Sequence, residues 1–556
     1  MSAAARTGGE WWRRAVVYEV YLRSFADGNG DGIGDLAGLR SRLPYLRDLG
    51  VDAVWITPWY PSPFADGGYD IADYRDVDPV FGTLADADAL VAEAHALGMR
   101  VLADIVPNHT SEAHPWFVEA LAAGPGSPAR RRYLFRDGRD GGGSPPNDWR
   151  SAFGGPAWTR VSEPDGRPGQ WYLHLFAPEQ PDLNWASPEV REELESVLRF
   201  WLERGIDGFR IDVAHALAKA PGLPDLGYPR GDEAVWGAMI QPWEVEDHPH
   251  WDVEDVHEIY CGWRALADGY GDRLLLGEAI VGPPERIARY VGPGRLQAAF
   301  GFPFMHSPWR PDELRSVIDE SLAAFAAAGA PPVWLLSSHD EVRHVTRLGR
   351  RETAVLGLFG ETGEAADLAL GTRRARAAAL LVLALPGIAC LYQGEELGLP
   401  EVEDLPPEAR QDPAWTRSGG AVRGRDGCRV PLPWSGAEPP FGFGPAGSTP
   451  WLPQPAEWRG LTVEAQEGDP GSMLALYRRA LRLRRAHEGF AGDSFRWLDA
   501  PAGVLHFERG GGVRCAANLG EEPFELLQGG DVLLASAELG PGGLPPGAAA
   551  WYTGPG

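Results

Sequence analysis

Eight short apolar runs, each followed by polar or glycine residues and then by a helix-like stretch, constrain the fold of this chain more than any other feature. Parallel strands that are covered on both faces read as continuous apolar runs, because neither face meets water. Eight such strands with intervening helices are what a closed (β/α)8 barrel requires. The sequence therefore predicts an α/β fold, a TIM barrel, with strands within Val16–Tyr21, Val51–Ile56, Arg100–Val106, Ile206–Val213, Leu274–Glu278, Leu296–Phe300, Val333–Ser337 and Ile388–Tyr392.

The uneven spacing of these runs indicates further domains. A long segment rich in Gly, Pro and aromatic residues separates the third run from the fourth, which indicates a small subdomain inserted in one loop. After a predicted helix at Gly471–Arg485, a polar tail alternates apolar and polar residues between glycine turns, as is typical of a small antiparallel β domain. We therefore predict barrel segments at 1–110 and 185–487, an inserted subdomain at 111–184 and a C-terminal β domain at 488–556.

The bulk composition excludes several classes of protein. A net charge of −27 repels nucleic acid and anionic membranes. No apolar run reaches the length of about 18 residues that a membrane span needs, and the N-terminal segment lacks the apolar core of a signal peptide. The four cysteines are scattered without a C-x-x-C pair, which favours free thiols in a reducing cytosol. We expect a cytoplasmic monomer or homodimer with no nucleic-acid or membrane partner and no organic cofactor.

Carboxylates follow several of the predicted strands, at the end where barrel enzymes place their catalytic groups. The third run ends in DIVPNH, the fourth in GFRID and the fifth in GEA, and an S-H-D triplet follows the seventh. A single acidic residue at a strand end is usually a helix cap, but several carboxylates with His and Arg at one mouth are costly to bury unless they perform chemistry. Two carboxyl groups with separated pKa values, one to attack the anomeric carbon and one to protonate the leaving oxygen, suffice to cleave a glycosidic bond.

These four motifs, in this order and on these strands, resemble the signature regions of the α-amylase family, glycoside hydrolase family 13, and the similarity extends from about Trp11 to the C-terminus. The resemblance implies a retaining glycoside hydrolase in which Asp212 is the nucleophile and Glu278 is the general acid/base. It also implies that Asp340 stabilises the distorted, oxocarbenium-like sugar.

The same resemblance assigns supporting residues. Arg210 lies two residues before the nucleophile, on the same side of the strand, where it would hold the attacking carboxylate ionised. His109 and His339 match the residues that hydrogen-bond the sugar in subsite −1. Ser338 departs from the pattern, since relatives often carry Asn before the His-Asp pair.

Further motifs resemble the oligo-1,6-glucosidase and α-glucosidase branch of the family, beginning with QPDLN at the end of the inserted subdomain. In similar exo-acting enzymes, a carboxylate and an arginine close the pocket behind the −1 sugar, which implies an ion pair between Asp66 of DGGY and Arg429 of RDGCR. The resemblance also implies that Tyr69 stacks on the sugar ring and that Phe153 and Phe176 form aromatic walls. A bidentate Arg–carboxylate pair is a rigid receptor for a terminal hydroxyl group.

A loop after the first strand carries oxygen ligands at every second position, with glycines between them, and such a loop can wrap one hard cation. It resembles the calcium or magnesium loop of the same branch. We therefore predict one structural Ca²⁺ or Mg²⁺ ion, bound by Asp27, Asn29, Asp31, Ile33 and Asp35.

The linkage that the enzyme would cleave is less constrained. Val213, directly after the nucleophile, occurs in relatives that cleave α-1,6 bonds, whereas the following segment AHALAK resembles actinobacterial-type α-glucosidases that prefer maltose-like substrates. We expect an exo-acting α-glucosidase that releases glucose from short α-1,4-linked oligosaccharides, with some transglucosylation. The alternatives are an α-1,6-glucosidase and a transferase or isomerase of the trehalose synthase, sucrose isomerase or amylosucrase type.

Overall fold

A computed structural model describes residues 10–227, 248–354, 364–526 and 530–554. Eight parallel strands form one sheet in the order β10-β11-β1-β2-β3-β7-β8-β9. A parallel bridge between Phe300 and Val333 joins the two ends of this sheet, so that the strands enclose a barrel. The barrel strands are β1 (Val16–Val20), β2 (Ala53–Ile56), β3 (Arg100–Ile105), β7 (Gly208–Ile211), β8 (Leu274–Gly277), β9 (Ala298–Ala299), β10 (Val333–Leu335) and β11 (Ile388–Tyr392).

Each of these strands lies within one of the eight predicted apolar runs, so the predicted TIM barrel is confirmed. The outer layer is helical, and its helices begin at polar caps: Asp35 accepts a hydrogen bond from the backbone of α1, and Thr83 forms a capping box with Asp86 at the start of α2. The described helices are α1 (Leu36–Leu49), α2 (Leu84–Ala96), α3 (Pro115–Ala123), α4 (Pro188–Glu203), α5 (Val256–Asp268), α6 (Pro284–Ala288), α7 (Phe302–His306), α8 (Pro311–Ala328), α9 (His344–Leu348), α10 (Leu368–Ala384), α11 (Pro413–Arg417), α12 (Val463–Gln466) and α13 (Met473–Ala486).

The segment between β3 and α4 contains a small antiparallel sheet of three strands in the order β4-β6-β5. These strands are β4 (Phe135–Arg136), β5 (Trp158–Ser162) and β6 (Pro168–Leu173). An antiparallel bridge between His109 and Asp182 ties the beginning of this segment to its end. The inserted segment therefore leaves and re-enters the barrel at one point, beside the end of β3.

A five-stranded antiparallel sheet follows α13, as the C-terminal pattern predicts. Its strands are β12 (Phe495–Trp497), β13 (Val504–Arg509), β14 (Val513–Asn518), β15 (Val532–Ala535) and β16 (Ala548–Thr553). The sheet packs on α10 of the barrel, where the Trp551 indole donates a 2.9 Å hydrogen bond to the Leu380 carbonyl. The predicted domain boundaries stay predictions, and their outermost residues, 1–9 and 555–556, lie outside the described residues.

Two further features bear on the surroundings of the protein. Within the described ranges, no helix combines the length and apolar character that a bilayer crossing requires. All four cysteines are free thiols, and only Cys261 among them is exposed.

Candidate active site

The carboxyl ends of the barrel strands meet in one pocket, which contains the acidic residues singled out from the sequence. Asp212 follows β7, Glu278 follows β8, and Asp340 lies in the loop after β10. Because the strands are parallel and adjacent, residues far apart in the chain reach the same mouth. The pocket is lined by Asp66, Tyr69, His109, Ala152, Phe153, Phe176, Asp212, Val213, His215, Trp251, Glu278, Ile280, His339, Asp340 and Arg425.

Arg210 is the buried cation at the centre of this arrangement, with 1% of its surface exposed. Its Nη1 lies 2.7 Å from Asp212 Oδ1 and 3.1 Å from Asp104 Oδ1, and its Nη2 lies 2.7 Å from Glu278 Oε1. A guanidinium can serve several acceptors at fixed angles and stays charged, so it holds both predicted catalytic carboxyl groups in place. Sequence spacing predicted the contact with Asp212, and the structure adds the contact with Glu278.

Asp212 and Glu278 influence each other's ionisation. Burial raises the pKa of both carboxyl groups, Arg210 opposes that rise in each, and the charge of Glu278 raises the pKa of Asp212 further. Two interacting carboxyl groups lose their protons in separate steps that belong to the pair. A retaining glycosidase needs the intermediate state, in which one carboxyl group is ionised and the other carries a proton.

Asp340 lies in the opposite electrostatic environment. Burial would raise its pKa, but the neighbouring His339, Arg425 and Arg429 outweigh burial and hold the pKa of Asp340 well below its usual value. Arg425 Nη1 and Arg429 Nη2 lie 2.9 and 2.8 Å from Asp340 Oδ1, and His339 Nε2 lies 3.2 Å from Oδ2. Asp340 is therefore a fixed negative charge beside the pocket.

The predicted ion pair between Asp66 and Arg429 is wrong, because Arg425 occupies that place. Arg425 Nη2 lies 2.6 Å from Asp66 Oδ1, whereas Arg429 donates from Nε to the His339 carbonyl and from Nη2 to Asp340. Arg425 is the N-cap residue of a short 3-10 helix, Asp426–Arg429, and Arg429 is its last residue. Both arginines reach Asp340 Oδ1 and lie within 4 Å of Asp412 Oδ2, but only Arg425 forms an ion pair with Asp66.

Arg425 in fact bridges three carboxylates. Besides Asp66 and Asp340, its Nε donates a 2.6 Å hydrogen bond to Asp412 Oδ2, and the Asp412 side chain is completely buried. The guanidinium also lies over the ring of Phe153, at 5.0 Å from its centroid. Asp66 and Arg425 therefore close one side of the pocket as parts of a single charged network.

The predicted aromatic residues lie in the wall of the pocket. The rings of Phe153 and Phe176 meet edge to face at 6.0 Å. Tyr69 lines the pocket as well, and its ring stacks on His339 at 5.3 Å while its hydroxyl donates to Asp104 Oδ2 at 3.0 Å. The stacking of Tyr69 on a sugar ring stays a prediction.

His109 is fully buried next to the closing pair. Burial lowers its pKa to about 4, so it is neutral at physiological pH. Its Nε2 lies 3.1 Å from the Tyr69 carbonyl and 3.0 Å from Gln180 Nε2. Gln180 also donates to Asp66 Oδ2 at 3.2 Å, which links the QPDLN motif directly to the base of the pocket.

Sequence reasoning did not assign Gln180, Asp412 or Glu19 to the site. Gln180 lies in a motif that the sequence analysis quoted, so a signal for it was available. Asp412 lies in a loop without periodic pattern, and Glu19 lies inside an apolar run whose other residues predict a buried strand. Trp251, which lines the pocket and stacks on His215 at 4.4 Å, also had no motif to indicate it.

The predicted cation loop is closed on itself. Asp27 accepts hydrogen bonds from the backbone of Asn29, Gly30 and Gly32, and Asp35 accepts them from Gly28, Asn29 and Gly38. Burial raises the pKa of Asp35, and the nearby Asp27 raises it further, so the loop holds two buried acidic groups close together. Oxygen donors of this kind fit Ca²⁺ or Mg²⁺.

No group of three or more His, Cys, Asp or Glu side chains in the described ranges could hold a metal ion. The predicted set holds three such side chains, Asp27, Asp31 and Asp35, together with the amide of Asn29 and the carbonyl of Ile33, and these three carboxylates do not form such a group. Asn29 and Asp31 currently bond to each other, at 3.1 Å between Nδ2 and Oδ2. Cation binding at this loop stays a prediction.

Comparison with known proteins gives a consistent result. The profile of the α-amylase catalytic domain matches residues 19–493, and the profile of a domain of unknown function, DUF3459, matches residues 492–551. A probable α-glucosidase of Rhizobium meliloti (strain 1021) is 40% identical over 531 residues, which cover 92% of this chain and 90% of that protein. An oligo-1,6-glucosidase of Parageobacillus thermoglucosidasius is 34% identical over 508 residues, which cover 86% of this chain and 84% of that protein.

Solved structures are similar over nearly the whole chain. The α-glucosyl transfer enzyme XgtA has a TM-score of 0.83 at 36% identity, over 98% of this chain and 100% of that chain. The trehalulose synthase MutB of Pseudomonas mesoacidophila MX-45 has a TM-score of 0.83 at 31% identity, with the same coverage.

Proposed function

The chain belongs to the α-amylase family of glycoside hydrolases, and from that premise we propose that it is an exo-acting retaining α-glucosidase. Its substrates would be short α-1,4-linked glucosides such as maltose, from which it releases the terminal glucose. The ion pair between Asp66 and Arg425, two residues of the pocket wall, supports this proposal, because a closed end there would leave room for one sugar beyond the cleaved bond.

In this mechanism Asp212 attacks the anomeric carbon and forms a covalent glucosyl intermediate. Arg210, at 2.7 Å from Asp212, favours the ionised state that attacks. Glu278, whose pKa burial raises, protonates the leaving oxygen and then takes a proton from water in the second half of the reaction. The ionised Asp340 stabilises the positive charge that develops on the sugar ring.

The exo-acting mode follows from the hydrogen-bonding capacity of the closed end. Asp66 accepts from Arg425 and Gln180, and it keeps acceptor capacity for a terminal sugar hydroxyl. Arg425 holds this carboxylate in one position, so that the receptor is formed before substrate arrives. A polymer can then enter only by its non-reducing end.

The linkage that we propose is α-1,4, in preference to α-1,6. Val213, the residue after the nucleophile, lines the pocket together with Ile280 and Trp251. One relative is named probable α-glucosidase and another is named oligo-1,6-glucosidase. Both names describe glucosidases, and only the second names a linkage.

Transfer of glucose to another sugar is the second candidate function. It is favoured by the likeness to XgtA and to MutB, whose names describe glucosyl transfer and trehalulose synthesis. Hydrolysis and transfer share the glucosyl intermediate and differ only in whether water or a sugar hydroxyl accepts it.

Product analysis on four disaccharides tests these proposals together. The enzyme is incubated with maltose, isomaltose, sucrose and trehalose, and products are followed by chromatography and by proton NMR of the anomeric signals. We expect two glucoses from maltose, with α-glucose released first. Release of β-glucose would contradict retention, and formation of an isomeric disaccharide without free glucose would favour the isomerase alternative. Asp212→Asn is the control, and it should be slower by several orders of magnitude, on the order of 10⁴-fold or more.

We also propose that the loop 27–35 binds one structural Ca²⁺ or Mg²⁺. The buried carboxylates of Asp27 and Asp35 support this, because an ion would neutralise two acidic groups that the fold holds together. Metal analysis of the purified protein, before and after chelation, tests it. We expect about one ion per chain and a lower melting temperature after chelation, and both effects should disappear in Asp27→Asn. A chelated protein with an unchanged melting temperature would refute the site.

The proposal places the enzyme in the cytoplasm as a monomer or homodimer that acts on small oligosaccharides. Four unpaired cysteines suit a reducing compartment. Size-exclusion chromatography with light scattering measures the oligomeric state directly.

A further inference from the structure

Glu19 is a buried carboxyl group inside the barrel that the proposed mechanism does not use. It lies on β1 with 1% of its surface exposed. Its Oε1 is hydrogen-bonded to Nδ1 of His339 and also lies 3.4 Å from the backbone nitrogen of His339. A buried carboxyl group is costly, so its contact with a residue of the predicted site calls for an explanation.

The imidazole of His339 packs against two tyrosine rings. The ring of Tyr69 stacks on it at 5.3 Å with an interplanar angle of 8°, and the ring of Tyr21 stacks on it at 5.7 Å and 20°. Its other nitrogen, Nε2, lies 3.2 Å from Asp340 Oδ2 and faces the pocket. Glu19, His339 and Asp340 therefore form one line that runs from the barrel interior to the sugar-binding pocket.

The contacts along this line determine which nitrogen of the His339 ring carries a hydrogen. Asp340 is ionised and only accepts hydrogen bonds, so Nε2 of His339 has to carry a hydrogen. A neutral imidazole with its hydrogen on Nε2 has a bare Nδ1, which needs a donor, and a protonated Glu19 supplies one. An imidazolium with an ionised Glu19 also keeps the hydrogen on Nε2. One proton shared between Glu19 and Nδ1 therefore secures the Nε2 donor in either state.

We propose that Glu19 is the positioning residue of His339: through the proton that it shares with Nδ1, it holds the imidazole ring so that the Nε2 hydrogen is directed at Asp340 and at the −1 sugar. The idea rests on the proposed glucosidase function for its kinetic consequences, but the line of contacts is independent of the substrate.

The surroundings of Glu19 agree with a shared proton. Burial raises the pKa of Glu19 and lowers the pKa of His339, so both changes favour the neutral pair. Arg210 opposes the rise in the pKa of Glu19, while Asp340 and Asp104 add to it. The charged and titratable groups that face Glu19 are His339 and Asp340 from the loop after β10, Arg210 from β7, Asp104 from β3, and Cys390 and Tyr392 from β11.

Two substitutions separate hydrogen bonding from mere filling of space. The amide of Glu19→Gln can donate to Nδ1 and keeps the hydrogen on Nε2, whereas the unbranched side chain of Glu19→Met fills the same space without a strong donor. We expect Glu19→Met to lower kcat by roughly 10- to 100-fold with KM changed by less than about threefold, and Glu19→Gln to restore kcat to within about threefold of the wild type. Rates are divided by the number of competent sites, counted with a 5-fluoroglucosyl fluoride that traps the intermediate.

The choice of substrates adds a readout that a loss of folding would not produce. His339 acts on the glucose ring, so Glu19→Met should slow maltose and an aryl α-glucoside by the same factor. The alkaline limb of kcat should lie at the same pH or higher in Glu19→Gln, because that variant cannot lose the shared proton. The control is Glu396→Gln, which changes another buried carboxyl group on the barrel, one bonded to Tyr18 and Tyr45, and should leave the pH profile unchanged.

The proposal is overturned if Glu19→Gln loses as much kcat as Glu19→Met, or if Glu19→Met keeps the wild-type kcat. A wild-type protein that turns over no α-glucoside would contradict the proposed function instead. In that case ¹⁵N NMR of the His339 ring, assigned by its loss in His339→Asn, still decides the matter. We expect Nε2 to be protonated in all three proteins, because Asp340 remains its acceptor, and Nδ1 to show a hydrogen bond in the wild type and in Glu19→Gln that is lost in Glu19→Met; an unchanged Nδ1 signal in Glu19→Met would refute the role of Glu19.

Discussion

Replacing Arg425 by alanine should damage substrate recognition more specifically than any other change behind the pocket. Arg425 contacts Asp66 at 2.6 Å, Asp340 at 2.9 Å and Asp412 at 2.6 Å. Arg425→Ala leaves Asp412 buried without its closest cation, and it leaves Asp66 free to turn away from the terminal sugar hydroxyl. Asp340 is affected less, because Arg429 remains 2.8 Å from it.

The expected loss can be derived from these contacts. A hydrogen bond to a charged group contributes about 1.5–3 kcal/mol, and removing one partner of a buried ion pair costs about 3–5 kcal/mol. Part of that cost appears as lower stability through Asp412, which does not face the pocket. We expect the remainder, on the order of 2–4 kcal/mol, to appear as a loss of about 30- to 1,000-fold in kcat/KM on every substrate with a terminal glucose.

Arg429→Ala is the matched control. It removes a second arginine from Asp340 but leaves the pair of Asp66 and Arg425 in place, so exo-action should persist while turnover falls. The assay compares kcat/KM on maltose with the rate on a maltoheptaose blocked at its non-reducing end. If Arg425→Ala kept the wild-type kcat/KM while Arg429→Ala abolished recognition of terminal glucose, the assignment of Arg425 as the closing residue would be wrong. Rapid cleavage of the blocked substrate by the wild type would contradict the closed pocket itself.

Three further predictions concern single residues. Glu278→Gln should slow maltose far more than an aryl α-glucoside with a good leaving group, because only the former needs protonation; equal losses on both would exclude the acid role. Lys219→Arg should destabilise the protein although the charge is kept, because a planar guanidinium cannot reproduce the contacts of the ammonium group. That group lies 2.7 Å from each of three oxygens, those of Asp182, Asn108 and the Ala216 carbonyl, and thermal unfolding of Lys219→Arg and Lys219→Met measures the effect. Burial raises the pKa of Glu395 from 4.5 to about 8, so its contribution to the free energy of unfolding is complete below about pH 4.5 and is lost as the pH rises towards 8. Glu395→Gln should therefore flatten the fall in stability between these pH values, and an unchanged slope would contradict the raised pKa.

The barrel could be predicted from sequence because its strands are buried on both faces. Each run, such as Leu274–Glu278, is apolar over the length of a strand and is bounded by polar residues, and that pattern survives without any knowledge of neighbours. That Asp212, Glu278 and Asp340 line one pocket could be predicted because they follow barrel strands closely, where the position in the chain nearly fixes the position in space.

The closing network could not be predicted in the same way, because it is built from loops. Arg425 and Arg429 belong to one short motif and share Asp340 as a partner, so their positions in the sequence do not tell which of them also meets Asp66. Asp412 lies in a loop of no regular period, so nothing in the sequence indicates that it meets Arg425. Long-range contacts between loops have no local signature, and resemblance alone assigned the wrong arginine.

This division between strands and loops has a consequence for specificity. The groups proposed to perform chemistry are anchored on the barrel, where Arg210 fixes Asp212 and Glu278 together. The closed end of the pocket is instead assembled from three segments between the regular elements, which carry Asp66, Phe153 and Arg425; the last two meet where Arg417, at the end of α11, donates hydrogen bonds to the carbonyls of Phe153 and Gly154. Loops tolerate insertions and substitutions far better than a packed barrel does. Changes around Arg417 should therefore alter which oligosaccharides are accepted while the contacts among Arg210 and its carboxylates, and with them the chemistry of the glucose ring, stay the same.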